Sequence, residues 1–177
     1  MPLELRRAKP PDADFLLELL ADDDVRQFLG PRTAETRDEV LAEIERSLTE
    51  SEGFGRFVIE LDGEPAGMLG FHVANEQSRI ARLERLAIHP RFRGHKLADE
   101  AARLFQRHLL EELGYHRLEL EIYAFNERAC AHAGLEFVAL LQNLCHCAAA
   151  LADDRAQYQS HALQHDDVRE QQQQRRI

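Results

Sequence analysis

Two hydrophobic periods alternate along the chain, one of two residues and one close to 3.6 residues. The first is typical of strands and the second of helices with one apolar side. Strands are predicted, in chain order, over residues 3–8, 57–61, 65–71, 80–88, 115–122, 137–145 and 155–163. Helices are predicted after Pro10–Asp12, after Thr36, and over residues 97–113 and 126–133. The Asp62-Gly63 pair predicts a tight hairpin turn.

This order of elements, β-α-α-β-β-β-α-β-α-β-β, predicts a mixed α/β (α+β) fold. We expect one largely antiparallel sheet with helices on both faces. With 177 residues, 44% of them hydrophobic, the chain is long enough for one core, which we assign to residues 1–163. The polar segment 164–177 lacks an apolar period, and we expect it to be a disordered tail.

Charge and composition narrow the classes of partner. The formal net charge is −10, which argues against nucleic acid and favours cationic small molecules or basic peptides. No apolar run reaches the length of a membrane span, and the N-terminus lacks a signal-peptide core, so we expect no membrane association. Three cysteines, an odd number, favour the reducing cytoplasm. Cys145 and Cys147 lack a second ligand pair, so no metal site is predicted.

A junction of strand, loop and helix spans residues 83–98. An apolar strand ends near Pro90, a basic loop with Arg91, Arg93 and Gly94 follows, and a helix begins near Ala98. Free backbone N–H groups and the positive end of the helix dipole meet at such a junction. The pattern therefore predicts a site for a phosphate or pyrophosphate group.

The same loop resembles the acyl-CoA-binding motif of the GNAT N-acetyltransferase superfamily, Arg/Gln-x-x-Gly-x-Gly/Ala, with Lys96 in place of the central glycine. Residues 57–70 and the Asn126–Ala129 box strengthen the resemblance, which is greatest to the branch of polyamine and ribosomal-protein N-terminal acetyltransferases. It implies a GNAT-like fold whose two central parallel strands, here those ending at Ile88 and Ile122, splay apart around the pantetheine arm of the cofactor.

Acetyl-CoA as co-substrate is what the resemblance implies. Its pyrophosphate would bind the loop formed by Arg93, Gly94, His95, Lys96, Leu97 and Ala98. A lysine at position 96 cannot copy a glycine's positive φ cheaply, although its ammonium could contact phosphate instead. The pantetheine amides would bind the backbone of Leu86, Ala87 and Ile88. Asn126 would contact the same arm, or it serves only as a helix cap.

Glu84 is the candidate that would take a proton from the amine, because several enzymes of this superfamily use a carboxylate on this strand. The period of two places Glu84 on the same face as Leu86 and Ile88. The alternative is a structural ion pair with Arg82, Arg85 or Arg117.

Cys130 occupies the position at which the family usually has a tyrosine that protonates the CoA thiolate. A thiol is a competent acid near neutrality. The alternative is a small buried side chain that fills space, and Tyr123 is then a second candidate for the proton donor.

The resulting hypothesis is an N-acetyltransferase that uses acetyl-CoA to acetylate a primary amine, such as a polyamine or a peptide N-terminus, by direct attack in a ternary complex. The acidic run Asp22–Asp24 would attract a cationic substrate, or it is a solvated turn. One alternative is a degenerate GNAT domain that binds acyl-CoA or a protein partner without catalysis. Another is a structural dimerisation domain, so a homodimer is also considered.

Overall fold

The computed structural model describes residues 2–29, 33–94 and 96–120, together with residues 122, 123, 126, 127 and 129. His95 and Cys130 lie outside the described residues. So do most of the predicted helix over 126–133, the predicted strands over 137–145 and 155–163, and the predicted tail over 164–177.

The described strands form one five-stranded sheet in the order β1-β2-β3-β4-β5. Each of the pairs β1–β2, β2–β3 and β3–β4 is antiparallel, whereas β4 and β5 pair in parallel. The strands are β1 (Leu3–Arg7), β2 (Phe54–Leu61), β3 (Glu64–Asn75), β4 (Ile80–Ile88) and β5 (Arg117–Leu120). The prediction of a mixed, mostly antiparallel sheet is confirmed.

In the part of the chain that the structure describes, the sheet is accompanied by α1 (Ala13–Ala21), α2 (Asp23–Arg26), α3 (Arg37–Thr49) and α4 (Leu97–Arg107). A 3₁₀ turn, Pro10–Asp12, leads into α1, and a π-helical turn, His108–Glu112, extends α4. A capping box starts α3, in which the Thr36 hydroxyl accepts from the Glu39 amide at 3.3 Å and the Glu39 carboxylate accepts from the Thr36 amide at 3.0 Å.

Helices cover both faces of the sheet, as predicted. On one face α4 contributes to a core with apolar side chains of β2, β3 and β5, among them Phe57, Phe71, Leu97, Phe105 and Leu118. On the other face α1 and α3 pack on β2, β3 and β4 through side chains that include Leu19, Ile44, Val58, Met68 and Ala87. We call these the α4 face and the α1/α3 face.

Candidate active site

The connection from β4 to α4 contains two residues with positive φ. After β4 ends at Ile88, a 3₁₀ turn covers Pro90–Phe92, and α4 begins at Leu97. Gly94 has a φ of 91° and Lys96 a φ of 56°. This conformation is readily adopted by glycine but costs a residue with a Cβ about 1–2 kcal/mol. Lys96 therefore adopts the conformation that suits the family's glycine, at an energetic cost.

The start of α4 offers backbone donors at this connection. The first N–H groups of an α-helix have no acceptor within the helix, and here they belong to Leu97 and Ala98. The Lys96 carbonyl accepts from the amides of the next two residues, Asp99 and Glu100, at 3.1 and 3.3 Å. Their carboxylates also lie in this first turn, where they favourably complement the helix dipole and oppose a bound anion.

Arg93 is held by the acidic run that precedes and begins α2. Its Nη1 lies 2.8 Å from Oδ2 of Asp24, and its Nη2 lies 3.7 Å from Oδ1 of Asp22. Its Nε donates to the Ile88 carbonyl at 3.4 Å. Two carboxylates of the run therefore contact the arginine of the loop, a contact that the sequence did not predict.

The described pairing between β4 and β5 stops before β4 ends. It runs from Ile80–Arg117 to Leu83–Leu120, whereas β4 continues to Ile88. Leu86, in this last part of β4, is 37% exposed, unusually high for a large apolar side chain of this sheet. Residue 121 lies outside the described residues, so the expected opening between the two central strands stays a prediction.

A β-bulge at Arg85 changes which face Glu84 occupies. β3 pairs Gly70 with Glu84 and Met68 with Ala87, so two residues of β4 lie opposite Leu69 alone. Arg85 has a φ of 59°. Glu84 and Ala87 consequently lie on the α1/α3 face, and Leu86 and Ile88 on the α4 face. The expectation that Glu84 shares a face with Leu86 and Ile88 is wrong, because the bulge interrupts the period of two.

Glu84 belongs to a chain of alternating charges on the α1/α3 face. Its Oε1 lies 2.5 Å from Nη1 of Arg56, and its Oε2 lies 3.2 Å from Nδ1 of His72. Nε of Arg56 also contacts Glu43 at 2.9 Å, and Arg85 contacts Glu43 at 2.6 Å. Arg56 and His72, the partners of Glu84 described here, were not among the three arginines considered on the sequence.

Burial makes this network electrostatically strong. The side chains of Arg56 and Arg85 are only 10% and 11% exposed. Burial alone would raise the pKa of the Glu43 carboxyl, but both arginines outweigh that effect and the pKa lies below its ordinary value. Gly70 makes room for the network, because a Cβ there would lie 2.7 Å from Nη1 of Arg56.

The sequence analysis missed Glu43, Arg56 and His72 as members of the site. Arg56 did offer a signal, since it interrupts the otherwise apolar start of β2 and a charge inside such a strand needs a partner. Glu43 and His72 offered none, because their contacts join elements that are distant along the chain.

Asn126 forms the helix-cap contact that was one of its two expected roles. Its Oδ1 accepts from the Ala129 amide at 3.1 Å, and its own amide donates to the Tyr123 carbonyl at 2.8 Å.

The other described residues that were predicted to bind the cofactor lie between the end of β4 and the start of α4. They are Leu86, Ala87, Ile88, Arg93, Gly94, Lys96, Leu97 and Ala98.

A comparison of the sequence with known protein families finds a match. The acetyltransferase (GNAT) domain family matches residues 2–134. The chain belongs to the GNAT acetyltransferase family. This GNAT domain match includes all five described strands, the β4–α4 connection and Asn126. Both the resemblance seen in the sequence and the expected fold are confirmed.

Solved GNAT-like structures share the fold at low sequence identity. A spermidine N-acetyltransferase from Vibrio cholerae, in complex with CoA and spermine, is 20% identical, with a TM-score of 0.66 over 75% of this chain and 78% of that one. RimL, a ribosomal L7/L12 α-N-protein acetyltransferase, is also 20% identical, with a TM-score of 0.65 over 76% and 75% of the two chains. Compared by sequence with curated proteins, the chain has no significant match.

The described residues contain no helix that is long and apolar enough to cross a membrane. They also bring no three His, Cys, Asp or Glu side chains together as a metal-binding group, and Cys145 and Cys147 lie beyond them.

Proposed function

We propose that this GNAT family member transfers an acetyl group from acetyl-CoA to a primary amine by direct attack in a ternary complex. The observation that carries the proposal is the family match over residues 2–134, which includes a strand–loop–helix connection suited to a pyrophosphate. A solved neighbour of similar fold is in complex with CoA and spermine, which supports binding of both CoA and an amine by this architecture.

For the cofactor, we propose contacts along the path from β4 to α4. The pyrophosphate would accept hydrogen bonds from the backbone of residues 93–98, with Arg93 and Lys96 supplying positive charge. The pantetheine arm would lie along Leu86–Ile88 in the manner of an added strand, with Asn126 beside it. The exposed side chain of Leu86 supports this assignment.

For the acceptor, we propose a cationic amine, either a polyamine or a peptide N-terminus. The net charge of −10 supports a cationic substrate, since it raises the local concentration of cations. The neighbours named above act on spermidine and on a ribosomal protein, and both substrates carry amines. Glu84, near the opening of the strands, would assist in removing the proton of the ammonium, which has no lone pair for attack.

For the departing thiolate, we propose Cys130 as the proton donor. A RimL structure with CoA contains a disulfide between CoA and a cysteine, so a cysteine can lie beside the CoA sulfur in this fold.

We further propose that the protein works in the cytoplasm, as its odd number of cysteines favours. Self-association, at least as a homodimer, is also proposed, since a V. cholerae spermidine N-acetyltransferase is dodecameric.

The test is release of free CoA thiol from acetyl-CoA in the presence of an amine panel: spermidine, spermine, a peptide with a free N-terminus, an amino acid and an aminoglycoside. We expect release that depends on one class of amine. CoA binding by calorimetry without any release would favour the degenerate binding domain instead. Neither binding nor release would leave a structural role.

A further inference from the structure

A histidine without an assigned role lies beside Glu84. His72 is on β3, on the α1/α3 face, because β3 pairs His72 with Arg82 and Gly70 with Glu84. Its Nδ1 contacts one carboxylate oxygen of Glu84 at 3.2 Å, while Arg56 occupies the other. Both oxygens of Glu84 therefore already have a partner within the protein.

This contact determines which nitrogen of the neutral His72 ring carries the proton and which can accept one. An ionised carboxylate only accepts hydrogen bonds, so Nδ1 carries the proton that faces Glu84. The lone pair of the neutral ring is then on Nε2. The His72 side chain is 37% exposed, so substrate and solvent can reach the ring. Arg56, by contrast, is buried and shields its side of Glu84.

His72 and Glu84 lie close to the part of β4 along which we propose that the pantetheine arm binds. Glu84 lies on β4 two residues before Leu86, where the proposed path of the pantetheine arm begins. Its face is opposite that of Leu86, Ile88 and α4, where the cofactor loop begins. An amine that approaches from the α1/α3 face would therefore meet His72 and Glu84 from the side of the sheet away from α4.

We infer that His72 is the catalytic base of the proposed acetyl transfer and that Glu84 is its positioning residue. The inference rests on the proposed function and refines the role given there to Glu84. Glu84 acts through the imidazole, holding the ring and stabilising its positive charge once the proton has arrived, while Arg56 and Glu43 hold Glu84 in place.

The proton and electron balance of the step is complete. Nε2 of His72 takes one proton from the ammonium, and the freed amine lone pair forms the C–N bond to the acetyl carbon. The C–S bond then breaks and its electron pair leaves on the CoA sulfur. The proposed donor Cys130 protonates the sulfur and takes up the second proton that the amide nitrogen releases, and the imidazolium returns its proton to solvent. One acetyl group moves, with no oxidant or reductant.

Charged groups of both signs surround the ring. Glu84 contacts the ring, and Arg82 lies directly opposite His72 on β4. Behind Glu84 lie Arg56 of β2 and Glu43 of α3. Arg82 is itself paired with Glu119 of β5 at 3.1 Å.

The test compares the full chain with His72→Gln, His72→Ala and Glu84→Gln, and measures kcat/KM for the amine against pH. His116→Gln is the matched control, because His116 is an exposed histidine just before β5. We expect His72→Gln to lose about 10²-fold at pH 7, with the loss shrinking towards the pKa of the acceptor itself, about 10 for an alkylamine and about 8 for a peptide N-terminus, above which the amine deprotonates unaided. Added imidazole should restore part of the activity of His72→Ala, but not that of Glu84→Gln, and CoA affinity should be unchanged.

Each outcome separates this inference from the function on which it rests. A parent that transfers acetyl groups, with His72 variants that keep its pH profile and ignore imidazole, would overturn the role of His72 alone. A parent inactive with every amine would overturn the proposed function, and the inference with it. Folding of each variant is checked by its thermal melting, and imidazole rescue shows that a slow variant has kept its site.

Discussion

The guanidinium of Arg93 lies 2.8 Å from the carboxylate of Asp24, although the two residues are 69 positions apart in the chain. This pair joins the β4–α4 loop to α2. Asp24 thus occupies the cation that we propose for the cofactor's pyrophosphate, so we expect CoA and Asp24 to compete for Arg93.

Asp24→Asn should therefore tighten CoA binding. An exposed ion pair is worth about 0.2–1 kcal/mol, so we expect a Kd lower by a factor of about 1.5–5 at low ionic strength. Asp23→Asn is the matched control, because it removes the same charge from the same run without an ion pair to Arg93 among the described contacts. Calorimetric titration with CoA measures both. Equal affinities of the two variants would show that Asp24 does not compete for Arg93.

Lys96 offers a test of backbone strain. Because its φ is 56°, Lys96→Gly should be more stable than Lys96→Ala by about 1 kcal/mol, since only glycine adopts this conformation without a steric cost. Both substitutions remove the same charge, so their difference isolates the backbone effect. Urea unfolding gives the two free energies. An alanine variant as stable as the glycine variant would mean that position 96 is not left-handed in solution.

Glu43 should make stability depend on pH. Its folded pKa lies below the ordinary value, so its stabilising contribution is present above that value, about 4.3, and is lost as pH falls through the folded pKa. Breaking a buried pair costs about 3–5 kcal/mol, and because Glu43 is 25% exposed we expect Glu43→Gln to cost about 2–3 kcal/mol at pH 7.

The cost of Glu43→Gln should shrink in acid, when the parent carboxyl is also protonated. Glu45→Gln, an exposed change in the same helix, is the control and should be nearly neutral throughout. Thermal unfolding of the three proteins from pH 3 to 7 measures this. A cost that does not depend on pH would argue against an ionised Glu43 in the network.

Cys130 can be tested by single-turnover kinetics. If its thiol protonates the departing CoA, Cys130→Ala should slow acetyl transfer without changing acetyl-CoA binding. A proton donor is typically worth about 10²–10⁴-fold, and we expect the lower end because a thiolate is already a fair leaving group. Cys130→Ser retains a donor and should recover part of the rate. Three equal rates would leave Tyr123 or solvent as the proton source.

The sequence was sufficient for features that depend on neighbouring residues. The period of two in β1–β4 and the apolar stripe of α4 predicted the sheet and its helices. The loop around Arg93 and Gly94 predicted the connection between them. Such patterns are local, so they survive without knowledge of the tertiary structure.

Features that depend on tertiary contacts were not predictable in this way. The bulge rests on one residue, Arg85, with positive φ, and nothing in its neighbours' polarity marks it. It moves Glu84 to the other face of the sheet and so towards Arg56 and His72. The contact of Arg93 with Asp24 likewise joins distant segments, and the acidic run alone left open a cationic substrate or a solvated turn.

The central claim is that this chain moves an acetyl group from acetyl-CoA to an amine, and product analysis tests it most directly. The purified full chain is incubated with acetyl-CoA and the amine panel, and mass spectrometry and a thiol reagent measure acetylated amine and free CoA in the same sample. We predict that both products form in equal amounts and that neither forms when the amine is omitted. Release of CoA without an acetylated amine, or formation of neither product, would contradict the claim.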